Sequence, residues 1–439
     1  MNKDKVYIET YGCQMNFSDT EIVASLLKAG GFDIIDKIDD ADIILLNTCS
    51  VRDNAEKKIH QRLMHLKQYK KRKNKLVVGV IGCMAERMQE KLIEEEDIVK
   101  IVVGPDEYRL IPQLINQAIG GQKGIAVELS TVETYDDITP LRTEGISAFI
   151  SIMRGCNNFC TYCIVPYTRG RDRSREIATI INEVKDLAQQ GIKEITLLGQ
   201  NVNSYTANHK GQNIDFPELI ARFAEVAPEI RFRFTTSHPK DISDKLIETI
   251  AANDNICNHI HLAMQSGSTR VLEMMKRKYT YEHFLGRIQK IKELIPDCAL
   301  STDIIAGFPG ETIDDHKQTL QAVRDIRYDG AFMFKYSPRE GTKSYDMEDD
   351  VDEKEKLRRL NQIIEMQNNI ALELNDAEIG KTQEVLVEGS SKRSRDDMMG
   401  RTGTNKVVVF PNNPPCKIGD LVKVKIIRTT SATLIGKRI

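Results

Sequence analysis

Cys156, Cys160 and Cys163 stand in the spacing C-x-x-x-C-x-x-C, within Arg154-Gly-Cys-Asn-Asn-Phe-Cys-Thr-Tyr-Cys163. Three thiolates so spaced can hold three irons of a 4Fe-4S cube and leave the fourth iron open to an exogenous ligand. A ferredoxin would close the site with a fourth Cys, and a structural zinc site would also need a fourth ligand. The loop offers neither another Cys nor a His. Cys13, Cys49 and Cys83 form a second set, in Tyr11-Gly-Cys-Gln-Met-Asn16, Asn47-Thr-Cys-Ser-Val51 and Ile81-Gly-Cys-Met84. They are too far apart in the chain for one metal loop, yet each follows a short apolar run. If those runs are successive strands of a parallel sheet, the thiols share its carboxyl edge, where such sheets bind ligands. A second cluster with an open iron follows. Taken singly, each would read as a buried structural cysteine, which is how the scattered Cys257, Cys298 and Cys416 are read.

The elements that position these residues follow from periodicity. Short apolar runs beginning at Val6, Ile43, Leu76 and Ile98 alternate with amphipathic stretches, which predicts βαβα units and a helix-covered parallel sheet over residues 1–120. Ile22, Val23, Leu26 and Leu27 supply the first helix's apolar face, and Gly30 and Gly31 end it as positive-φ residues. A second series, over 142–375, has strand candidates at 146–152, 194–198, 231–235, 259–263, 299–305 and 331–335. Six are too few for a closed eight-stranded barrel, so a partial (β/α)6 barrel, open on one side, is expected. A helix bearing Leu357, Leu360, Ile364, Ala371 and Leu374 should dock on it, and Gly- and Pro-punctuated strand runs over 378–439 predict a small β-barrel.

Of 439 residues, 41% are hydrophobic and 29% charged, the balance of a soluble globular protein, and the net charge is −2. The start lacks a signal-peptide pattern and no run approaches membrane-spanning length, so no membrane partner and a cytoplasmic location are expected, where disulfides are disfavoured. Residues 381–439 carry 12 Lys and Arg against 5 Asp and Glu, about +7, leaving about −9 for the remainder. Lys392, Arg393, Arg395, Arg401 and Lys406 are the first candidates for phosphate contacts to RNA. Each could equally be a solvated surface charge, and the run Lys70–Lys75 reads as a solvated helix end. Arg169, Arg171, Arg173 and Arg175 could anchor a carboxylate or phosphates, or pair with Asp172 and Glu176.

The first cysteine motif, with Tyr162 before its last Cys, resembles the signature of radical S-adenosylmethionine (SAM) enzymes. That resemblance implies that the open iron chelates SAM and that an electron from the cluster cleaves it to a 5'-deoxyadenosyl radical. It places further SAM contacts at Gly199, Gln200 and Asn201 in Leu198–Tyr205, at Asp303 and Gly307 in Asp303–Glu311, and at Arg175. Joined to the N-terminal set, the pattern resembles the methylthiotransferase family over nearly the whole chain. Gly12–Asn16, Asn47–Asp53 and Gly155–Gly170 are similar to its MiaB-type tRNA branch, and the basic tail is similar to a TRAM domain. Ala263 departs from the pattern, standing where relatives carry proline, which puts the stiffness of that strand end in question.

The resemblance implies conversion of N6-isopentenyladenosine at position 37 of tRNA to its 2-methylthio derivative, with two 4Fe-4S clusters and two SAM molecules per turnover. The cluster of Cys156, Cys160 and Cys163 makes the radical, and that of Cys13, Cys49 and Cys83 presents sulfur. An external electron donor and iron-sulfur assembly machinery are the further partners. The rivals are a sibling methylthiotransferase, acting on threonylcarbamoyladenosine or a ribosomal-protein aspartate, and a non-catalytic iron-sulfur RNA-binding protein. The basic tail disfavours a protein substrate, and a structural cluster gains nothing from an open iron.

Overall fold

A computed structural model describes residues 3–50, 53–73, 75–142 and 145–439. Val51 and Arg52 of the Asn47–Asp53 segment, and residue 74 of the run Lys70–Lys75, lie outside the described residues. The N-terminal region is a parallel sheet of β1 (Lys5–Thr10), β2 (Asp33–Ile34), β3 (Ile43–Thr48), β4 (Val77–Gly82), β5 (Val99–Val103) and β6 (Gly124–Ala126), in the order β2-β1-β3-β4-β5-β6. Every residue of β3 and β4 is buried, as befits central strands covered on both faces. Helix α1 (Gln14–Ala29) packs Ile22, Val23 and Leu27 on one face, and Ile59, Leu63 and Leu66 of the helix Asp53–Arg72 cover the other. Of the two glycines after α1, only Gly31 has positive φ; Gly30 is right-handed, and a Cβ there would meet Pro112 at 2.9 Å. The short edge strands β2 and β6 carry too little periodicity to be seen in sequence, and β6 takes the sheet to Ala126.

The second region has the six expected parallel strands in two sheets of three. Arg231–Thr235, Glu194–Leu198 and Ser147–Ser151 form one; His259–His261, Ala299–Ala306 and Gly330–Lys335 form the other. Parallel bridges Phe232 to Ile256 and Ser237 to Leu262 join them into one curved wall. Strands one and six do not pair, so the barrel is open there, and α1 of the first region packs against strand one. The helix Glu353–Asp376 docks on the helix Ile313–Ile326 and on strand six. It buries Ile363, Ile370 and Ala371, packs the expected Leu360 and Leu374 against the barrel core and leaves Leu357 exposed, while polar Lys356, Arg359 and Gln367 are buried as well. No described helix is long and apolar enough to cross a membrane.

The tail is a closed five-stranded barrel of Thr382–Ser390, Asp397–Arg401, Val407–Pro411, Leu434–Arg438 and Leu421–Thr429 around Val385, Val387, Phe410, Val424 and Ile426. Buried Arg233, on strand three, donates to the carbonyls of Thr402 and Gly403 at 2.6 and 2.8 Å and so fixes the tail to the larger barrel. Cys257 is buried, and Cys298 and Cys416 pack against apolar cores, consistent with structural cysteines.

Segment 127–142 straps the first two regions together, and Arg142 lies between Glu21 of α1 and Glu183 of the barrel. Burial pushes the Glu21 carboxyl up to about 7; Arg142 opposes this and Glu183 adds to it. The folded chain therefore holds that proton more tightly than the unfolded chain, and stability falls as pH rises from the ordinary carboxylate range through about 7. Chemical denaturation of Glu21→Gln against pH should show no gain near pH 4, and above pH 7 a gain of about 3 kcal/mol.

Candidate active site

The loop carrying Cys156, Cys160 and Cys163 follows barrel strand one and the two-residue strand Met153–Arg154. Its tightness depends on Gly155, at φ +79°, where a Cβ would lie 1.9 Å from the Arg171 carbonyl oxygen. Gln200 accepts a hydrogen bond from the Gly155 N–H, and a Cβ on Gly199 would strike Met153 at 2.6 Å. The segment after strand two therefore supports the loop's entry. Burial pushes the Cys163 thiol up to about 12 and raises Cys156, with the neighbouring Cys160 adding to both, so the three sulfurs sense one another. Buried Arg277 donates from Nη1 to Cys160 Sγ at 3.4 Å and to the Tyr162 hydroxyl at 3.4 Å. The Tyr162 ring packs against Val271, Met275, Phe308 and Tyr336. The carbonyl of Ala263 accepts from Arg277 Nη2 at 2.7 Å and from the Tyr279 hydroxyl at 3.2 Å, so hydrogen bonds hold this strand end.

At the N-terminal sheet, Thr10 is in register with Asn47 of β3, and Thr48 with Gly82 of β4, so β1, β3 and β4 end at one level. Cys13 caps α1, Cys49 directly follows β3 and Cys83 directly follows β4. A Cβ at Gly12 (φ +131°) would lie 2.5 Å from that of Cys49, which draws the first two loops together. The hydrogen bond from Cys49 holds the Cys13 thiol down to about 6, against burial and with help from Arg169; burial raises Cys83. Arg169, at the far end of the other cysteine loop, donates from Nε to Cys83 Sγ at 3.1 Å and from Nη2 to Asp19 at 2.7 Å. Asp19, wholly buried on α1, also accepts from Arg154 at 2.5 Å and from the Tyr108 hydroxyl at 3.3 Å. The two arginines that flank one cysteine set thus meet the other set's sheet edge across one seam. No three described His, Cys, Asp or Glu side chains close on a single ion-sized point. The thiolates of a cubane each bond a different iron and need a wider spacing. The cradles at Gly12 and Gly155 and the all-sulfur donor sets fit such a group.

Between strands four, five and six a polar chain runs through the barrel. His259 Nε2 and His261 Nδ1 each lie 3.0 Å from Ser301 Oγ, and His261 Nε2 lies 3.2 Å from Asp303. Phe332, paired in register with Asp303, stacks edge-to-face with His261, ring centroids 5.9 Å apart, and with Phe334 it stands exposed (56% and 38%) on the open side. Met333 between them packs into the core, so both phenyl rings face the interior of the open barrel.

Several expected contacts are spent elsewhere. Arg175 is not free for SAM: Asp136, Glu183 and the Ser151 carbonyl surround it at 2.5, 2.8 and 3.0 Å. Arg173 pairs with Asp106 at 2.8 Å, while Arg169 pairs with Asp19. Arg169, Arg173 and Arg175 thus neutralise carboxylates of the first region, the strap and Glu183, while Arg171 lies over the Phe159 ring at 5.2 Å and acts on Asp172 through its charge. Asn201 is buried; its amide N–H donates to Asp241 at 2.7 Å and its oxygen accepts from the His238 backbone N–H at 3.1 Å. A Cβ on Gly307 (φ +71°) would lie 2.4 Å from Lys356, so that glycine admits the docking helix. In the tail, Lys392, Arg393 and Arg395 are exposed in one loop. Lys406 is committed to Asp329 at 2.7 Å and Asn375 at 2.8 Å, and Arg401 to Glu388 at 3.3 Å, so these two serve structure first. Lys425 stands directly opposite Lys437, a like-charge pair that costs stability unless an anion covers it. Sequence reasoning missed Asp19, Arg277, Phe332 and the Lys425–Lys437 pair, because each acquires its role from a partner distant in the chain.

Three family models match the chain: uncharacterized protein family UPF0004 over residues 5–104, the radical SAM superfamily over 150–323 and the TRAM domain over 376–439. The tRNA-2-methylthio-N(6)-dimethylallyladenosine synthase of Parabacteroides distasonis is 54% identical over 436 residues, 99% of this chain and 95% of that one. The proteins of the same name from Bacteroides fragilis and Chloroherpeton thalassium are 55% and 54% identical, each match covering 99% of this chain and 96% of the relative. The chain belongs to the tRNA-2-methylthio-N(6)-dimethylallyladenosine synthase family. This synthase-family fold is similar to the radical SAM methyltransferase TsrM of Kitasatospora setae (TM-score 0.58, 14% identity, 87% of this chain and 81% of that one). It is also similar to the cobalamin-dependent radical enzyme OxsB (TM-score 0.55, 16% identity, 83% and 56%).

Glycine cradles give a local test of the synthase-family loops. Gly155→Ala, reconstituted anaerobically, should lose the iron held at Cys156, Cys160 and Cys163 while keeping that at Cys13, Cys49 and Cys83; Gly12→Ala should do the reverse. Iron and sulfide analysis with absorbance spectra checks both, and full iron loading of Gly155→Ala would show that the loop does not need this turn.

Proposed function

We propose that the chain converts N6-dimethylallyladenosine at position 37 of tRNA to its 2-methylthio derivative, with Cys156, Cys160 and Cys163 holding a SAM-binding 4Fe-4S cluster and Cys13, Cys49 and Cys83 holding a second, sulfur-supplying one. The observation that carries this reading is the approach of the two three-cysteine loops, with Arg169 of one 3.1 Å from the Cys83 sulfur of the other. When bound, the clusters and two SAM molecules supply a radical able to replace hydrogen at an unactivated carbon, together with the sulfur and methyl group that take its place.

The chain's own residues do the positioning. Arg277 donates to the Cys160 sulfur and, through the Ala263 carbonyl, fixes the end of strand four beside the loop. Asp303, held by His261, offers a polar group at the barrel mouth for SAM, and Gln200 braces the loop's first glycine. Phe332 and Phe334 line the open side with apolar surface, which suits the dimethylallyl group of an extruded base. Lys392, Arg393, Arg395 and the opposed Lys425 and Lys437 supply phosphate contacts whose strength falls with salt. The reading also calls for an external electron donor and for iron-sulfur assembly machinery.

Anaerobic reconstitution with isopentenylated tRNA, SAM and a reductant tests the division of labour. Wild type should hold about eight irons and each triple-alanine variant, of Cys156, Cys160 and Cys163 or of Cys13, Cys49 and Cys83, about four. SAM cleavage should vanish only in the first variant and methylthiolation in both; product from the second would make the N-terminal cysteines structural. Phe332→Ala should lower kcat/KM for isopentenylated tRNA about tenfold, chiefly through KM, as loss of roughly 1.5 kcal/mol of apolar contact predicts. An unchanged KM would remove Phe332 from the substrate surface.

A further inference from the structure

Arg169 reaches Cys83 from a different domain. It closes the barrel's cysteine loop, followed by Gly170 at φ +70°, and its side chain is 4% exposed. Three of its contacts cross the seam: Nε to Cys83 Sγ at 3.1 Å, and Nη2 to Asn16 Oδ1 at 3.3 Å and to Asp19 Oδ2 at 2.7 Å. Its Nη1 is buried and finds no partner among the described residues. The charge is also unbalanced. Asp19 is shared by two guanidiniums, those of Arg154 and Arg169, so the buried group of three carries one surplus positive charge beside Cys83. A buried guanidinium with an unspent donor favours a negatively charged, hydrogen-bond-accepting neighbour, which a thiolate-bound iron-sulfur cluster is.

We infer that Arg169 is a positioning residue for the N-terminal cluster, donating to the Cys83 sulfur and, through Nη1, to a sulfide of the cluster, so that a residue of the barrel loop sets that cluster's reduction potential. The inference rests on the reading of Cys13, Cys49 and Cys83 as cluster ligands. Hydrogen bonds to cluster sulfurs and nearby positive charge stabilise the more negative, reduced form and raise the potential. Asp19 counters the charge and sets how much of it the cluster feels. The other set has its own buried donor, Arg277 to Cys160, so the two clusters are tuned separately.

The test uses the full chain carrying Cys156→Ala, Cys160→Ala and Cys163→Ala, so that one cluster is read, by redox titration followed by electron paramagnetic resonance. Arg169→Lys keeps a charge for Asp19, but one ammonium cannot also satisfy the sulfur contacts. The expected result is a midpoint lowered by about tenfold in the one-electron equilibrium, ~59 mV, with iron content unchanged. Asp19→Asn removes the countercharge and should raise the midpoint, which keeps the question answerable if Arg169→Lys assembles no cluster. Thermal destabilisation with an unmoved midpoint in both variants would make Arg169 a structural latch and overturn the inference. A parent that binds no iron would overturn the assignment of the N-terminal cysteines itself, and the inference with it.

Discussion

Asp19 is a carboxylate with no solvent exposure, held between guanidiniums from the two ends of the barrel's cysteine loop. Burial alone would raise its pKa; Arg154 and Arg169 outweigh that and hold the carboxyl below its ordinary range. A buried ion pair gains little over apolar packing, but removing one partner leaves an uncompensated charge that costs several kcal/mol. The contact is therefore a constraint on geometry more than a source of stability. It requires α1, which directly follows Cys13, to lie against the loop that starts at Cys156, and the strap residues Asp136 and Ser130 hold Arg175 and Arg173 to the same end.

That constraint explains why so many charged groups are buried at the seam. Arg154, Arg169, Arg173 and Arg175 each meet a carboxylate from outside the loop. A low-dielectric seam makes these contacts directional as well as strong. The open side of the barrel is the complement. With no seventh and eighth strands, the interior faces of strands five and six keep Asp303, Phe332 and Phe334 accessible beside the cysteine loop.

Much of this was legible in the chain. The cysteine spacings, the βα alternation, the six barrel strands and the basic tail all follow from residue type and period, which are local properties. The long helix and most of its apolar stripe were expected, but the burial of Arg359 and Lys356 was not, because they go inward to Glu311 and Asp349 and no hydrophobicity pattern records such partners. Arg175 fails as an anion anchor, and Lys406 is diverted from RNA, for the same reason: a charge in the sequence does not disclose whether a carboxylate already answers it.

The sequence by itself determined which groups can do chemistry, two sets of three thiols, and the α/β elements at whose ends they stand, because both depend on spacing within short stretches. Only the tertiary structure decided which of those groups meet. Asp19 and Arg154 are 135 residues apart, and Cys83 and Arg169 are 86 apart, and each pair closes at hydrogen-bond distance. Contacts of that separation come from how the domains dock, which depends on complementary burial over the whole seam rather than on any local pattern.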